Sequence, residues 1–231
     1  MTSTALQSLL SGARVTVTVT FYAVLLGTAI GLVGGLSAFS QRRVVRWITV
    51  TYVEVFRGVA ALILLYWAYF TLPTLFGIEL SPLTAGVLAL GTNMGAYATE
   101  IARGAIGAVP KGQFEASTAV NLTRTQRNLH VVLPQAAITM LPPFGNLCIE
   151  VLKASALVSL INMRDIVERA QNLRSQRTVP NSRFFGDEVA SSAEIFGTAL
   201  LIYFAISLAI AGMTRLAERN AGRWRQVGGR A

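Results

Sequence analysis

Long apolar runs alternate with short polar stretches along this chain. Residues 15–39, 58–78, 80–99 and 195–214 carry no charged side chain, and 131–149 is nearly as long. Each approaches or exceeds the ~20 residues that cross hydrocarbon as a helix. The pattern predicts an all-α membrane protein with about five transmembrane helices, near 13–39, 52–78, 82–107, 134–161 and 193–216. A single transmembrane domain over 1–220 and a basic tail over 221–231 follow from it. The alternation of Val and Thr from Val15 to Thr20 has a strand period, but the apolar residues after it override that reading.

Between these runs, residues 41–47 hold Arg42, Arg43 and Arg46 and read as a short loop on the cytoplasmic side, while residues 72–83 hold no Lys or Arg and read as external. Gly27, Gly31, Gly34 and Gly35 form small faces of the kind that let membrane helices approach closely. Glu54 and Arg57, three apart, can pair on one helical face. Tyr66, Trp67, Tyr69 and Phe70 suit an interfacial aromatic belt. Asn93, Tyr97 and Glu100 recur at helical spacing, either lining a cavity or forming a hydrogen-bonded seam. Pro142 and Pro143 predict an interruption of the fourth helix, because proline removes backbone hydrogen bonds. Beyond them come Asn146, ~18 Å above Pro134 on a helical rise, then Glu150 and Lys153. The last two can pair with each other, or serve a solute at that depth.

Composition narrows the class. The 231 residues are 53% hydrophobic and 13% charged, unlike a soluble domain. The formal charge of +9 comes from 18 Arg and two Lys against 11 acids. The basic residues cluster beside apolar runs, so membrane topology explains them without nucleic acid. The exception is the stretch 163–194, external by alternation, which holds Arg164, Arg169, Arg174, Arg177 and Arg183 among Asp165, Glu168, Asp187, Glu188 and Glu194. The end of the chain carries Arg215, Arg219, Arg223, Arg225 and Arg230, with a Gly-rich terminus expected to be disordered. Cys148 is the only cysteine and reads as a packing residue, and His130 is the only histidine, so no Cys/His metal set exists. No phosphate-binding Gly-x-x-x-x-Gly-Lys-Ser/Thr loop is present. The N-terminal residues lack a basic stretch and predict no cleavable signal.

A long polar interruption between two apolar runs covers residues 115–135. Ala116, Ala119, Val120 and Leu122 offer a small apolar face. Asn121 stands where a break would fall, and Asn tolerates the positive φ that a tight break needs. Thr123 can cap a second short helix carrying Arg124 and Arg127. Pro134 then opens the next helix, where its missing N–H costs nothing.

Glu115-Ala116-Ser117, three residues, Asn121, nine residues, Val131, one residue, then Leu133-Pro134 resembles the EAA loop of ABC importer permeases, which has Glu-Ala-Ala, Gly and Ile at the corresponding places. Glu54-x-Phe56-Arg57-Gly58 and Asn93-x-x-Ala96-Tyr97-x-x-Glu100-x-x-Arg103-Gly104-x-Ile106 resemble segments of the polar amino-acid branch of that family. The stretch 142–160 looks most like ectoine/hydroxyectoine permeases. Val59-Ala60 departs from the usual Thr-Pro after Arg-Gly, and the carboxylate stands at Glu150 rather than near Leu147.

The resemblance implies a permease subunit of an ATP-driven importer, with a cytoplasmic coupling loop over 109–133 between helices three and four. Glu115, Ala116, Ser117, Asn121, Leu122, Arg124 and Arg127 would meet the ATPase. Asn93, Tyr97, Asn146, Glu150 and Lys153 would line the solute pathway, with Glu150 facing a cationic and Lys153 or Asn146 an anionic group. The implied partners are an ABC ATPase dimer that binds ATP and Mg, a second permease subunit (a paralogue rather than a copy), an extracytoplasmic solute-binding protein and membrane lipid. No cofactor is expected in this chain. The N-terminus is expected outside and the C-terminus in the cytoplasm. Ectoine-like zwitterions or polar amino acids are the expected solutes. A secondary transporter would need paired broken helices, and an intramembrane enzyme would need a catalytic set; neither pattern is found.

Overall fold

The computed structural model describes residues 3–178 and 191–227. Every regular element among them is helical. The helices are α1 (Ser3–Leu36), α2 (Arg43–Gly58), α3 (Ala61–Tyr66), α4 (Leu72–Phe76), α5 (Pro82–Gly107), α6 (Lys111–Ala119), α7 (Arg124–Arg127), α8 (Leu133–Ala154), α9 (Ile166–Thr178) and α10 (Ser192–Val227). The side chains of Arg177, Arg223 and Arg225, and the residues Arg183, Asp187, Glu188 and Arg230, lie outside what is described.

The bundle is built on α5. Ser81 caps it by accepting the Thr84 N–H at 3.1 Å, and Pro82 fills its first turn. Helix α1 lies parallel to it, since Gly27 meets Met94, Gly31 meets Ala98 and Gly35 meets Ala102 in step. A Cβ on Gly31 would collide with that of Ala98, and one on Gly27 would stand 2.8 Å from Met94 side-chain atoms. The small residues thus set the closeness of the two helices. Helix α8 runs the opposite way: Val158, just past its end, touches Gly86 near the start of α5. Helix α10 then packs on α8, with Thr214 against Gly145.

Three helical spans, Ser3–Leu36, Arg124–Ile161 and Ser192–Ala221, are long and apolar enough to cross a membrane. A fourth arises if α2 with Ala61–Phe76 counts as one broken span. By length and composition alone, the described residues thus hold three such spans, or four with the broken pair. Helix α5 is not among them, because its 26 residues are rich in buried Ala, Gly and Thr rather than large apolar side chains. A helix surrounded by protein needs little lipid-facing bulk.

Three expectations change. The predicted helix over 52–78 is two segments meeting at 100°. Val59 (ψ 133°) and Ala60 (ψ 137°) are extended there, and two extended residues suffice to redirect a helix. The predicted loop over 41–47 is mostly the first turn of α2. Pro142 and Pro143 do not interrupt α8, which runs through both and changes to a tighter 3₁₀ turn only at Ser155–Ile161. Two prolines in succession lose their N–H groups on one side of the helix while the flanking turns stay bonded, so the rod survives.

The polar stretch after residue 163 contains a docked helix. Ile166, Ala170 and Leu173 of α9 bury against Ala5 and Leu9 of α1 and Ile195 and Ala199 of α10. Asp165, fully buried, accepts the Glu168 N–H at 2.9 Å and so caps α9. Residues 3–12 are the start of α1.

Candidate functional site

Two short helices and a tight turn form a knob where α5 ends and α8 begins. Helix α6 closes in a Schellman motif: Leu122 N–H reaches Ser117 C=O at 3.0 Å and Asn121 N–H reaches Thr118 C=O at 3.0 Å. Asn121 takes φ 57°, as its place in the sequence predicts, because that motif needs a left-handed residue at its turn. Helix α7 opens with a reciprocal cap. Thr123 Oγ1 accepts the Gln126 N–H at 3.3 Å, and Gln126 Oε1 accepts the Thr123 N–H at 2.9 Å.

The knob is held to itself and to the bundle. The Arg127 guanidinium lies 5.4 Å from the Phe114 ring centre, a cation–π contact that clamps α7 onto α6. Gln135 Nε2 donates to Gln113 Oε1 at 3.2 Å, tying the base of α8 to α6. Glu115, Ala116, Asn121 and Arg124 are exposed, as are Thr118 and Val120. Ser117 is buried and its hydroxyl donates to the Phe114 carbonyl at 2.7 Å, so it braces α6 from inside rather than presenting a surface. Leu122 is half-buried beneath the turn. A cleft of about 410 Å³ bounded by Phe114, Glu115, Thr118, Ala119 and Arg127 opens on this outer face. Glu115 makes no ion pair among the described residues, leaving a free carboxylate on a rigid mount.

The second set of predicted residues lies on α5 and α8. Asn93 donates from Nδ2 to the Phe56 carbonyl at 2.7 Å. That carbonyl sits near the end of α2, so Asn93 stitches α5 to the helix before the bend. Tyr97 lies under Arg57, whose guanidinium is 5.2 Å from the ring centre. Arg57 also approaches Glu100 at 3.9 Å, and Glu100 is bonded to Arg103 at 2.8 Å. The expected Glu54–Arg57 pair is not formed; the bend turns Arg57 toward α5 and leaves Glu54 exposed. Asn93 and Tyr97 thus belong to a seam between α2 and α5.

Asn146, Glu150 and Lys153 share one exposed face of α8, while Leu147, Val151 and Leu152 on the other face enter the core. Glu150 and Lys153 form no salt bridge among the described residues. No hydrogen bond or ion pair among those residues joins this trio to Asn93 or Tyr97. Arg57 is the residue that the sequence reading undervalued. The signal available was its place next to Gly58, where a helix end would leave its long side chain free to reach a neighbour.

Nor did the sequence reading find the buried polar group around Asp165, where Thr16 accepts the Ile166 N–H at 3.4 Å and Oδ2 of Asp165 has no hydrogen-bond partner among the described residues. The Asp-x-x-Glu spacing of Asp165 and Glu168 was the usable clue.

The chain matches the family described as binding-protein-dependent transport system inner membrane component over residues 16–223. It is 40% identical over 219 residues to y4tF of Sinorhizobium fredii, described as a probable amino-acid ABC transporter permease, covering 93% of this chain and 87% of that one. To the L-cystine transport system permease TcyB of Bacillus subtilis it is 30% identical, covering 92% and 86%. To the histidine/lysine/arginine/ornithine permease HisQ of Salmonella typhimurium it is 38% identical, covering 71% and 76%. A chain in the crystal structure of an amino acid ABC transporter with histidines superposes with TM-score 0.80 at 34% identity, covering 93% of this chain and 94% of that one. A chain of the inward-facing MetNI methionine ABC transporter, at 19% identity and TM-score 0.77 over 96% and 99%, shares the fold. The chain therefore belongs to the inner-membrane permease family of binding-protein-dependent ABC importers.

Proposed function

We propose that this permease subunit imports small zwitterionic solutes of the polar amino-acid class, driven through the knob of α6 and α7 by a separate ATPase. Permeases of this family are transport components that work with an ATPase and a binding protein. The observation that carries the coupling assignment is the knob itself: an exposed Glu115, a left-handed Asn121 and a doubly capped α7, clamped by Arg127 on Phe114. A force-transmitting contact must be stiff, and each of these features removes a degree of freedom. In this reading ATP and Mg are held by the ATPase dimer. Its closure moves the knob, and the knob tilts α5 and α8 against each other. The knob then lies in the cytoplasm and α9 faces the binding protein, so the N-terminus is outside and the C-terminus inside.

The amino-acid reading is supported by the named substrates of the relatives and by a face on α8 that carries both signs of charge. Glu150 would meet an ammonium group, and Lys153 with Asn146 a carboxylate. Completing a passage on that exposed face calls for a second permease subunit, a paralogue in this proposal. Ectoine is the second reading, favoured by the 142–160 segment alone; it offers the same charge pair in a ring.

The test has two arms. Glu115→Lys should release the ATPase from the purified complex while the permease stays inserted; an intact complex with normal uptake would reject the coupling role. Uptake of labelled histidine, glutamine and ectoine should fall together with this subunit's deletion only for its own solute. Ectoine uptake lost while amino-acid uptake persists would replace the first reading with the second.

A further inference from the structure

We infer that α1 and α2 form a binding site for one anionic phospholipid of the leaflet on the side of the α6–α7 knob. The proposal rests on the chain's place in a membrane family and is independent of which solute it carries.

The bend at Val59–Ala60 makes α2 an oblique helix. Its early turns sit beside the foot of α5, where Arg46 shares a cleft with Arg103 and Gly107. Its last turns reach Asn93 near the middle of α5. One flank of this helix packs on α5 through the buried Val53 and through Tyr52, whose hydroxyl donates to the Thr92 carbonyl at 2.6 Å. The opposite flank is open, with Val44 67%, Trp47 70% and Ile48 57% exposed. An amphipathic helix with open apolar bulk and a basic start is the form that settles at a bilayer boundary.

Between this helix and the second half of α1 runs an apolar groove of about 460 Å³, lined by Ala29, Ile30 and Val33 on one side and Ile48, Thr49 and Tyr52 on the other. Where α1 gives way to α2 stand Arg42 and Arg43, and one turn on comes Arg46, which lines the neighbouring cleft with Glu100 and Arg103. All three are exposed and none pairs with a carboxylate among the described residues. Unpaired basic residues at the α1–α2 crossing, beside an apolar trough, suit the two ends of an anionic lipid. The phosphate would take the guanidinium forks, and one acyl chain would lie along Ile30 and Ile48. A protein partner in the groove would have to present both an acidic group and a narrow apolar rod in that order, which a phospholipid supplies by construction.

The probes are phosphatidylglycerol and phosphatidylcholine carrying a photoreactive group in one acyl chain, mixed equally in nanodiscs that hold the whole transporter. After irradiation the labelled peptides of this chain are mapped by mass spectrometry. Phosphatidylglycerol should label residues 29–34 and 48–52 roughly tenfold more than phosphatidylcholine, as expected for a few basic residues near an anionic surface. Arg42→Gln, Arg43→Gln and Arg46→Gln together should abolish that preference, and the matching triple Lys variant should keep most of it. High salt on the unaltered protein should weaken it without any substitution. Equal labelling by the two lipids would overturn the proposal. So would absence of lipid label with cross-links to a second permease subunit, which would make the groove a protein interface.

Discussion

The Arg57 guanidinium lies 5.2 Å from the centre of the Tyr97 ring and 3.9 Å from Glu100. One side chain on the last turn of α2 therefore holds two on α5, immediately before the chain bends by 100°. A half-exposed cation–π contact is worth about 0.5–1 kcal/mol. A double-mutant cycle of Arg57→Ala and Tyr97→Leu, read by thermal unfolding of the purified complex, should return a coupling of about that size. A coupling near zero would mean that the bend is set by Val59 and Ala60 alone.

Asn121 is the pivot of the knob. A branched side chain in the left-handed region costs about 1–2 kcal/mol, so Asn121→Val should loosen α6 from α7 and reduce the amount of ATPase that co-purifies. Asn121→Gly, free of that steric cost, should retain the ATPase fully. If both variants bind it equally, the turn's conformation does not matter to docking.

The α1–α5 contact offers a packing test. Gly31→Ala puts a methyl group against the Cβ of Ala98, and overpacking of this kind costs about 1–3 kcal/mol. Adding Ala98→Gly to the same chain should restore most of the lost thermal stability. Failure of that rescue would show that the collision is relieved by a shift of α1 instead.

Asp165 makes stability depend on pH. Burial pushes its carboxyl up to about 6, although the N–H groups of Glu168 and Val167 pull the other way. The folded protein therefore holds this proton more tightly than the unfolded chain, where the group titrates near 3.9. Stability from this group is full below about pH 4, declines as pH rises through about 6, and stays low above. Asp165→Asn can still accept the Glu168 N–H and should flatten that slope in melting curves taken between pH 4.5 and 7.5. An unchanged slope would place the titration elsewhere.

Much of the knob was legible in the residues. Asn121 and Thr123 announce a left-handed turn and a cap, because each is a matter of four or five neighbouring positions; the return bond from Gln126 is the structure's addition. The fit of Gly27 and Gly31 to a partner helix was also legible as a small-residue face, though not which helix it would meet. The surroundings of Asn93 and Tyr97 were less so. Asn93 and Tyr97 share a helical face with Glu100, yet nothing in their spacing says that this face would be covered by α2.

The sequence by itself determined a helical, membrane-spanning chain, because apolar runs of this length leave backbone groups no partners in lipid except within a helix. It also determined the polar stretch at 115–135 and the local turns that stiffen it. The tertiary structure decided the 100° bend at Val59–Ala60, the unbroken passage of α8 through Pro142 and Pro143, the docking of α9 through Ile166 and Ala170, and the covering of Asn93 and Tyr97 by α2. Caps and periods are settled within a few residues of chain. Which faces meet is settled by contacts between residues tens of positions apart, such as Asn93 with Phe56 and Thr16 with Ile166.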